Sequence, residues 1–195
     1  EGGNAAETVV SRYLDLSRTA LTQRPDWIVW PETAYPSIFQ NAFRLGFPDQ
    51  ERKVLDYAQE SATPLLFGGY DHQSGQEFNS LFILDPLGLE PLRIYHKHIL
   101  LTFGEEMPGA SWFPQIREAF PQVANFGRGP GPQVYSVRSK SGQFTQVAPL
   151  ICYEALFPWY SREAVQKGAT LLLNITNDGW FGPYGEPYLH LLITQ

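Results

Sequence analysis

The chain predicts an α/β fold, and three observations carry that reading. Stretches with helical periodicity alternate with short apolar runs, the pattern of strands joined through helices. The run Trp27 to Trp30 is continuously apolar, as expected of a strand covered on both faces. With 195 residues, 43% of them hydrophobic, the chain has material for a single domain with a substantial core.

The elements follow in order. Residues 5–24 read as an amphipathic helix with Val9, Val10, Tyr13, Leu14, Ser17, Ala20 and Leu21 on one face. Pro25 ends it, because proline disfavours helical backbone in the residue before it. A strand is expected over 27–30, then a second helix over 49–61 that buries Val54, Leu55 and Ala58. Residues 65–70, 80–84 and 93–96 read as strands, the second closed by the turn Asp85-Pro86-Leu87-Gly88. Residues 107–133 differ in kind. They are rich in proline and glycine, carry Trp112, Phe113, Phe120 and Phe126, and hold one expected helical turn near 115–119. A stretch of that length without regular structure is expected to be an ordered lid or loop insertion. Strands return at 133–137 and 144–152, a helix over 160–167 closes at Gly168, and 169–176 is a final strand.

Composition excludes several classes. Fourteen basic against twenty acidic residues leave a net charge of −6, the wrong sign for tracking phosphates, so nucleic acid is not an expected partner. Charged residues make up 17%, against roughly 25% in ordinary soluble domains, which implies that part of the surface is normally covered. No run approaches the ~18 consecutive apolar residues that cross a bilayer. The first residues lack the basic-then-apolar order of a signal peptide. A single cysteine cannot form an internal disulfide.

That cysteine is the first candidate for chemistry. Cys152 ends an apolar strand and meets the polar pair Tyr153 and Glu154. Taken alone, it reads first as a small buried hydrophobe. A nucleophile needs thiolate, and an ordinary thiol with a pKa near 8.5 is only ~3% ionised at pH 7. It would need a base or a cation beside it. The histidines are poorly placed for this: His72 in a polar turn, His96 and His98 beside Lys97, His190 near the end. Charged residues at strand ends are better placed. Glu32 follows the Trp27–Trp30 strand and Lys97 follows the 93–96 strand. Such ends are where open α/β sheets gather ligands and catalytic groups. His96 and His98 look like half a metal site, but no third ligand is visible and no metal is expected. The segment Gly127 to Pro132 looks superficially like a phosphate loop. Its prolines remove amide donors and no helix follows, so it reads as lid or turn.

Four segments carry a resemblance. They are Trp30-Pro31-Glu32-Thr33-Ala34-Tyr35-Pro36; Tyr95-His96-Lys97-His98 with Phe103-Gly104-Glu105; Leu150-Ile151-Cys152-Tyr153-Glu154; and Asn174 to Gly182 with Pro187, Tyr188 and His190 after it. In this order they resemble the carbon–nitrogen hydrolase (nitrilase) superfamily, most strongly its apolipoprotein N-acyltransferase branch. The resemblance implies a nitrilase-like α-β-β-α sandwich and a Glu-Lys-Cys triad. Glu32 takes the position of the general base, Lys97 that of the triad lysine and Cys152 that of the nucleophile. Glu105 matches a supporting glutamate, and Tyr153 and Glu154 match residues that flank the nucleophile and shape its pocket. Trp180 and Phe181 take substrate-binding positions, against the plain alternative that they belong to the core. Lys97 would lower the thiol pKa while the two glutamates raise it, which leaves the net direction open.

The superfamily's first strand would precede the helix at 5–24 and further strands would follow Gln195. The resemblance therefore implies one partial domain over 1–195, incomplete at both ends. It also implies a phospholipid acyl donor, a lipid-modified apolipoprotein as acceptor, and no cofactor. The catalytic domain would face the periplasm at the inner membrane, tethered by membrane helices outside this sequence. The rival expectation is a soluble, cytoplasmic amidase or nitrilase with the same triad, passing the acyl group to water. A binding domain that merely kept the fold is the third reading, against which all three triad positions are filled.

Overall fold

Helix α1 (Gly2–Ala20) opens the structure, a computed structural model that describes residues 2–39, 48–86, 92–107, 124–181, 185, 188 and 190–192. Val10 and Leu14 bury the inner face of α1 at 1% and 2% exposure. Ser17 lies on that face because its hydroxyl accepts the indole N–H of Trp30 at 2.8 Å and donates to the Tyr13 carbonyl. Val9, expected on the same face, is instead 39% exposed, since it falls one residue short of the Val10–Leu14 stripe. A short 3₁₀ turn and Arg24 in the left-handed region (φ +52°) release the chain before Pro25.

Five strands form the first sheet: β1 (Ile28–Val29), β2 (Tyr35–Ile38), β3 (Leu65–Gln73), β4 (Gln76–Leu84) and β5 (Leu92–His96). β1 and then β2 pair parallel with β3, while β4 is antiparallel to both β3 and β5. β1, β3 and β5 therefore run the same way. The expectation for 27–30 needs correction: β1 is a short edge strand whose Ile28 is buried and whose Val29 is 42% exposed. β2 was not anticipated. The β3–β4 hairpin is longer than its apolar stretches, turning through Ser74 and Gly75, both at positive φ as a tight two-residue hairpin requires. Helix α2 (Pro48–Ser61) buries Val54, Tyr57 and Ala58, and leaves Leu55 38% exposed rather than buried.

The second sheet has β7 (Phe144–Ile151) at its centre, antiparallel to β6 (Tyr135–Arg138) and parallel to β8 (Leu171–Ile175). Helix α3 (Pro158–Gln166) makes the crossover from β7 to β8. Three cores define four layers. Val10, Leu14, Val54 and Tyr57 of the helices pack on Phe67 and Phe82 of the first sheet. Leu66, Leu81, Ile83 and Tyr95 meet Val137, Val147, Ile151 and Ile175 between the two sheets. Ala148 packs with Ala164 of α3 on the far side, where small side chains permit close approach. The order is α-β-β-α. Strands β3 and β4 are covered on both faces, which is why they are continuously apolar over much of their length.

Residues 108–123, and with them Trp112, Phe113, Phe120 and the expected helical turn, lie outside the described residues, as do Leu87 and Gly88. Residues 124–133 have no helix or strand and run as a strap across the edge of the first sheet. Backbone bonds fix the strap: Phe126 N–H to the Glu105 carbonyl (3.1 Å), Gly127 to Glu77 (2.7 Å) and Gly129 to Lys97 (2.8 Å). At Gly129 a Cβ would lie 2.0 Å from the His96 carbonyl oxygen, so only glycine allows this approach. Among the described residues, no helix is long and apolar enough to cross a membrane.

Candidate active site

Four strands aim their C-terminal ends at one place. Glu32 follows β1, Lys97 follows β5, Cys152 follows β7 and Asn177 follows β8. The turn that carries Glu32 presses on β3 so closely that a Cβ at Gly68 would lie 2.6 Å from the Glu32 Cα and the Pro31 oxygen. Glycine at 68 is therefore what lets Glu32 stand over the sheet.

Glu32, Lys97, Glu105, Cys152 and Asn177, with Leu101 and Gly104, line a chamber of about 60 Å³. Lys97 is almost fully buried, at 1% exposure. Its Nζ lies 2.8 Å from Glu105 Oε2 and 3.5 Å from Glu32 Oε1. Burial alone would pull the lysine pKa down, but the two carboxylates outweigh it and hold Lys97 above its ordinary value, as a cation. Each glutamate is held in turn. Asn79 Nδ2 donates to Glu32 Oε1 (2.8 Å) and to Glu105 Oε1 (2.7 Å). The Leu101 N–H donates to Glu105 Oε2 (2.9 Å), and the Asn177 N–H to Glu32 Oε2 (3.1 Å).

Cys152 stands at φ +52°, in the left-handed region, on a sharp turn from β7 into a 3₁₀ segment (Cys152–Leu156). Such a conformation in a non-glycine residue is imposed by its surroundings, and it lifts the side chain clear of the strand. The direction left open by the sequence is upward. Burial pushes the Cys152 thiol up, Glu32 adds to this, and the Thr176 hydroxyl and Lys97 only partly offset it, leaving the pKa at about 11. At rest Cys152 is therefore a thiol, with the Glu32 carboxylate in the same chamber.

Neither Tyr153 nor Glu154 lines the chamber. Tyr153 makes an edge contact with Phe157. Glu154 is wholly buried. Its Oε2 accepts the Tyr95 hydroxyl (2.7 Å) and the Ile151 N–H (2.9 Å), while its Oε1 accepts the His98 N–H (2.7 Å) and the Ile99 N–H (3.1 Å). Burial raises its pKa against the pull of these donors. One side chain thus staples the Cys152 turn to the Lys97 loop. Trp180 and Phe181 close a 3₁₀ turn (Asp178–Phe181), and their side chains lie outside the described residues.

Residues 4–195 match the carbon-nitrogen hydrolase family. The chain belongs to that family. It is 37% identical over 204 residues to an apolipoprotein N-acyltransferase from Bdellovibrio bacteriovorus, covering 100% of this chain and 37% of that protein. A second, from Geobacter metallireducens, is 34% identical over 96% of this chain and 35% of its own length. A third, from Chlorobaculum tepidum, is 30% identical over 100% of this chain and 40% of its own length. The chain thus spans less than half the length of these relatives. Among solved structures, a carbon-nitrogen hydrolase from Helicobacter pylori superposes with a TM-score of 0.67 at 14% identity, over 97% of this chain and 63% of that one. An amidase from Nesterenkonia sp. gives 0.61 at 18% identity, over 91% and 64%. At these identities the likeness shows the fold, a nitrilase-like α-β-β-α sandwich.

Within this carbon-nitrogen hydrolase domain, several site residues escaped the sequence reading. Asn79 lies on the polar half of a hairpin strand and carries no signal. Asn177 lies just beyond the final strand, where strand-end logic would have found it. His190, set aside for its position near the end, has Nε2 3.3 Å from the Cys152 carbonyl oxygen. His96 Nε2 instead pairs with Asp71 Oδ2 (2.7 Å), and His98 Nδ1 faces the Gly129 carbonyl (2.6 Å). Among the described residues, no group of three or more His, Cys, Asp or Glu is arranged to hold a metal.

Proposed function

We propose that the domain is the catalytic part of an acyltransferase of the apolipoprotein N-acyltransferase type, working through a Cys152 thioester. The observation that carries this is the shared chamber: Glu32, Lys97 and Cys152 line one small cavity, in a chain alike over its whole length to proteins of that name. The acyl donor is a phospholipid ester. Glu32 takes the Sγ proton as sulfur attacks the ester carbonyl, and the Lys97 ammonium stabilises the oxyanion. Collapse expels the lysophospholipid alkoxide, which recovers the proton from Glu32 and leaves the thioester. The amine of a lipid-modified apolipoprotein N-terminus then attacks the thioester, gives up its proton to Glu32, and releases the thiol. The residues need no metal or cofactor for these steps. In this reading Tyr153, Glu154 and Glu105 support the triad. The domain works at the periplasmic face of the inner membrane.

Hydrolysis of a small amide or nitrile is the second reading, favoured by the size of the chamber and the likeness in fold to an amidase. Intact-protein mass after incubation with a diacyl phospholipid separates the two. A fatty-acyl increment on the wild type and none on Cys152→Ala is expected. Turnover of a small amide without any fatty-acyl increment would overturn the acyltransferase reading.

A further inference from the structure

We infer that His190 is a positioning residue for the nucleophile, clamping the Cys152 carbonyl and thereby holding the turn on which the thiol stands. The inference rests on Cys152 being the nucleophile and is independent of which acyl donor it serves. Cys152 sits at φ +52° and needs neighbours that impose that conformation. On its amide side, the Ile151 N–H is fixed by buried Glu154 (2.9 Å). On its carbonyl side, the oxygen faces His190 Nε2 at 3.3 Å.

His190 is itself held, at 8% exposure, with Nδ1 2.9 Å from Asp178 Oδ1. The same carboxylate oxygen accepts the Thr176 hydroxyl at 2.9 Å. A run of bonds thus leads from Thr176 through Asp178 and His190 to the cysteine's carbonyl. The Cys152 carbonyl oxygen only accepts, so this bond takes its N–H from Nε2. A buried histidine that merely fills space has no need of a bond to this one carbonyl. Without it the turn is free to relax toward ordinary backbone, and the sulfur swings away from Glu32 and Lys97.

The test uses the full-length enzyme and p-nitrophenyl butyrate, whose burst of p-nitrophenol reports acylation of Cys152 without a lipid donor. His190→Ala is expected to slow the burst about 10- to 100-fold, the scale of an ångström-level misplacement, with apparent KM within about twofold. His190→Gln puts an amide nitrogen near the place of Nε2 and recovers the rate to within about threefold. His190→Asn reaches only the place of Nδ1 and stays as slow as alanine. A wild-type burst rate in His190→Ala, equal rates in the Gln and Asn variants, or losses that simply follow the melting temperature would overturn the inference. Absence of a burst in the wild type would overturn the nucleophile and this inference together. A normal burst with no acylation by phospholipid would overturn only the lipid donor.

Discussion

Replacing Glu32 by Gln should move two properties of Cys152 in opposite directions. In the proposed mechanism Glu32 acts on the thiol twice: as the base that removes its proton, and as a negative charge that keeps the proton on. With the thiol pKa at about 11, only about one molecule in ten thousand is thiolate at pH 7. Burial is the largest cause and the Glu32 charge the second, so removing that charge lowers the pKa. We expect a drop of about one unit, roughly tenfold more thiolate at pH 8. The glutamine keeps its Oε1 for Asn79 and Lys97 and gives up only the Oε2 that accepts the Asn177 N–H, and Lys97 keeps Glu105 at 2.8 Å, so most of the site should stay assembled. Alkylation by iodoacetamide, followed by intact mass from pH 6 to 11, reads the ionisation directly because the chain has a single cysteine. The alkylation midpoint should move down and the rate at pH 8 should rise. Enzymatic acylation should fall by about 10²- to 10⁴-fold, the usual worth of a positioned base. A midpoint that stays or rises, or acylation at the wild-type rate, would refute this account of the site.

Lys97→Met should slow acylation by orders of magnitude and push the thiol midpoint still higher. It should also cost about 3 to 5 kcal/mol of stability in a urea titration, because Glu32 and Glu105 are left buried without their cation. Cys152→Ala should abolish acyl transfer with the fold intact, whereas Cys152→Gly should melt higher than the alanine variant by about 1 kcal/mol, since glycine tolerates φ +52° without strain. Equal stability of the two would remove backbone strain from the description.

The sequence made the layered architecture legible wherever burial and periodicity agreed. Val10 with Leu14, Val54 with Ala58, and the apolar core of β3 and β4 declared their elements because both lost water on the predicted faces. It failed where an element was an edge or a solvated extension. Val29 looks apolar yet faces outward on a short edge strand, and the polar run 71–77 conceals the outer half of a hairpin. The site followed the same division. Glu32, Lys97 and Cys152 stand at strand ends, where charge and thiol break an apolar run and can be read. Asn79 ties the two glutamates together from the concealed half of the hairpin. His190 reaches Cys152 from 38 residues away, and no local pattern encodes a contact at that separation. The left-handed backbone at Cys152 is likewise invisible, because cysteine has no preference that announces it.

In the proposed mechanism, the charge balance decides how the site works. Two carboxylates and one ammonium share the chamber, so the site carries a net negative charge before the thiol ionises, and a standing thiolate would add a second. An ion pair between cysteine and lysine is therefore not the resting state, in keeping with a thiol pKa raised by burial and by Glu32. Proton removal has to accompany attack, with Glu32 gaining a proton as the charge passes to the substrate oxygen. That shift favours Lys97. Of its three N–H groups, Glu105 at 2.8 Å and Glu32 at 3.5 Å engage two, which leaves a third for the oxyanion. As Glu32 becomes neutral, its hold on the ammonium weakens when the oxyanion needs it most. Asn79, by donating to both glutamates, fixes the orientation of each beside the lysine. The second glutamate thus serves to hold the lysine in place while the first one changes charge.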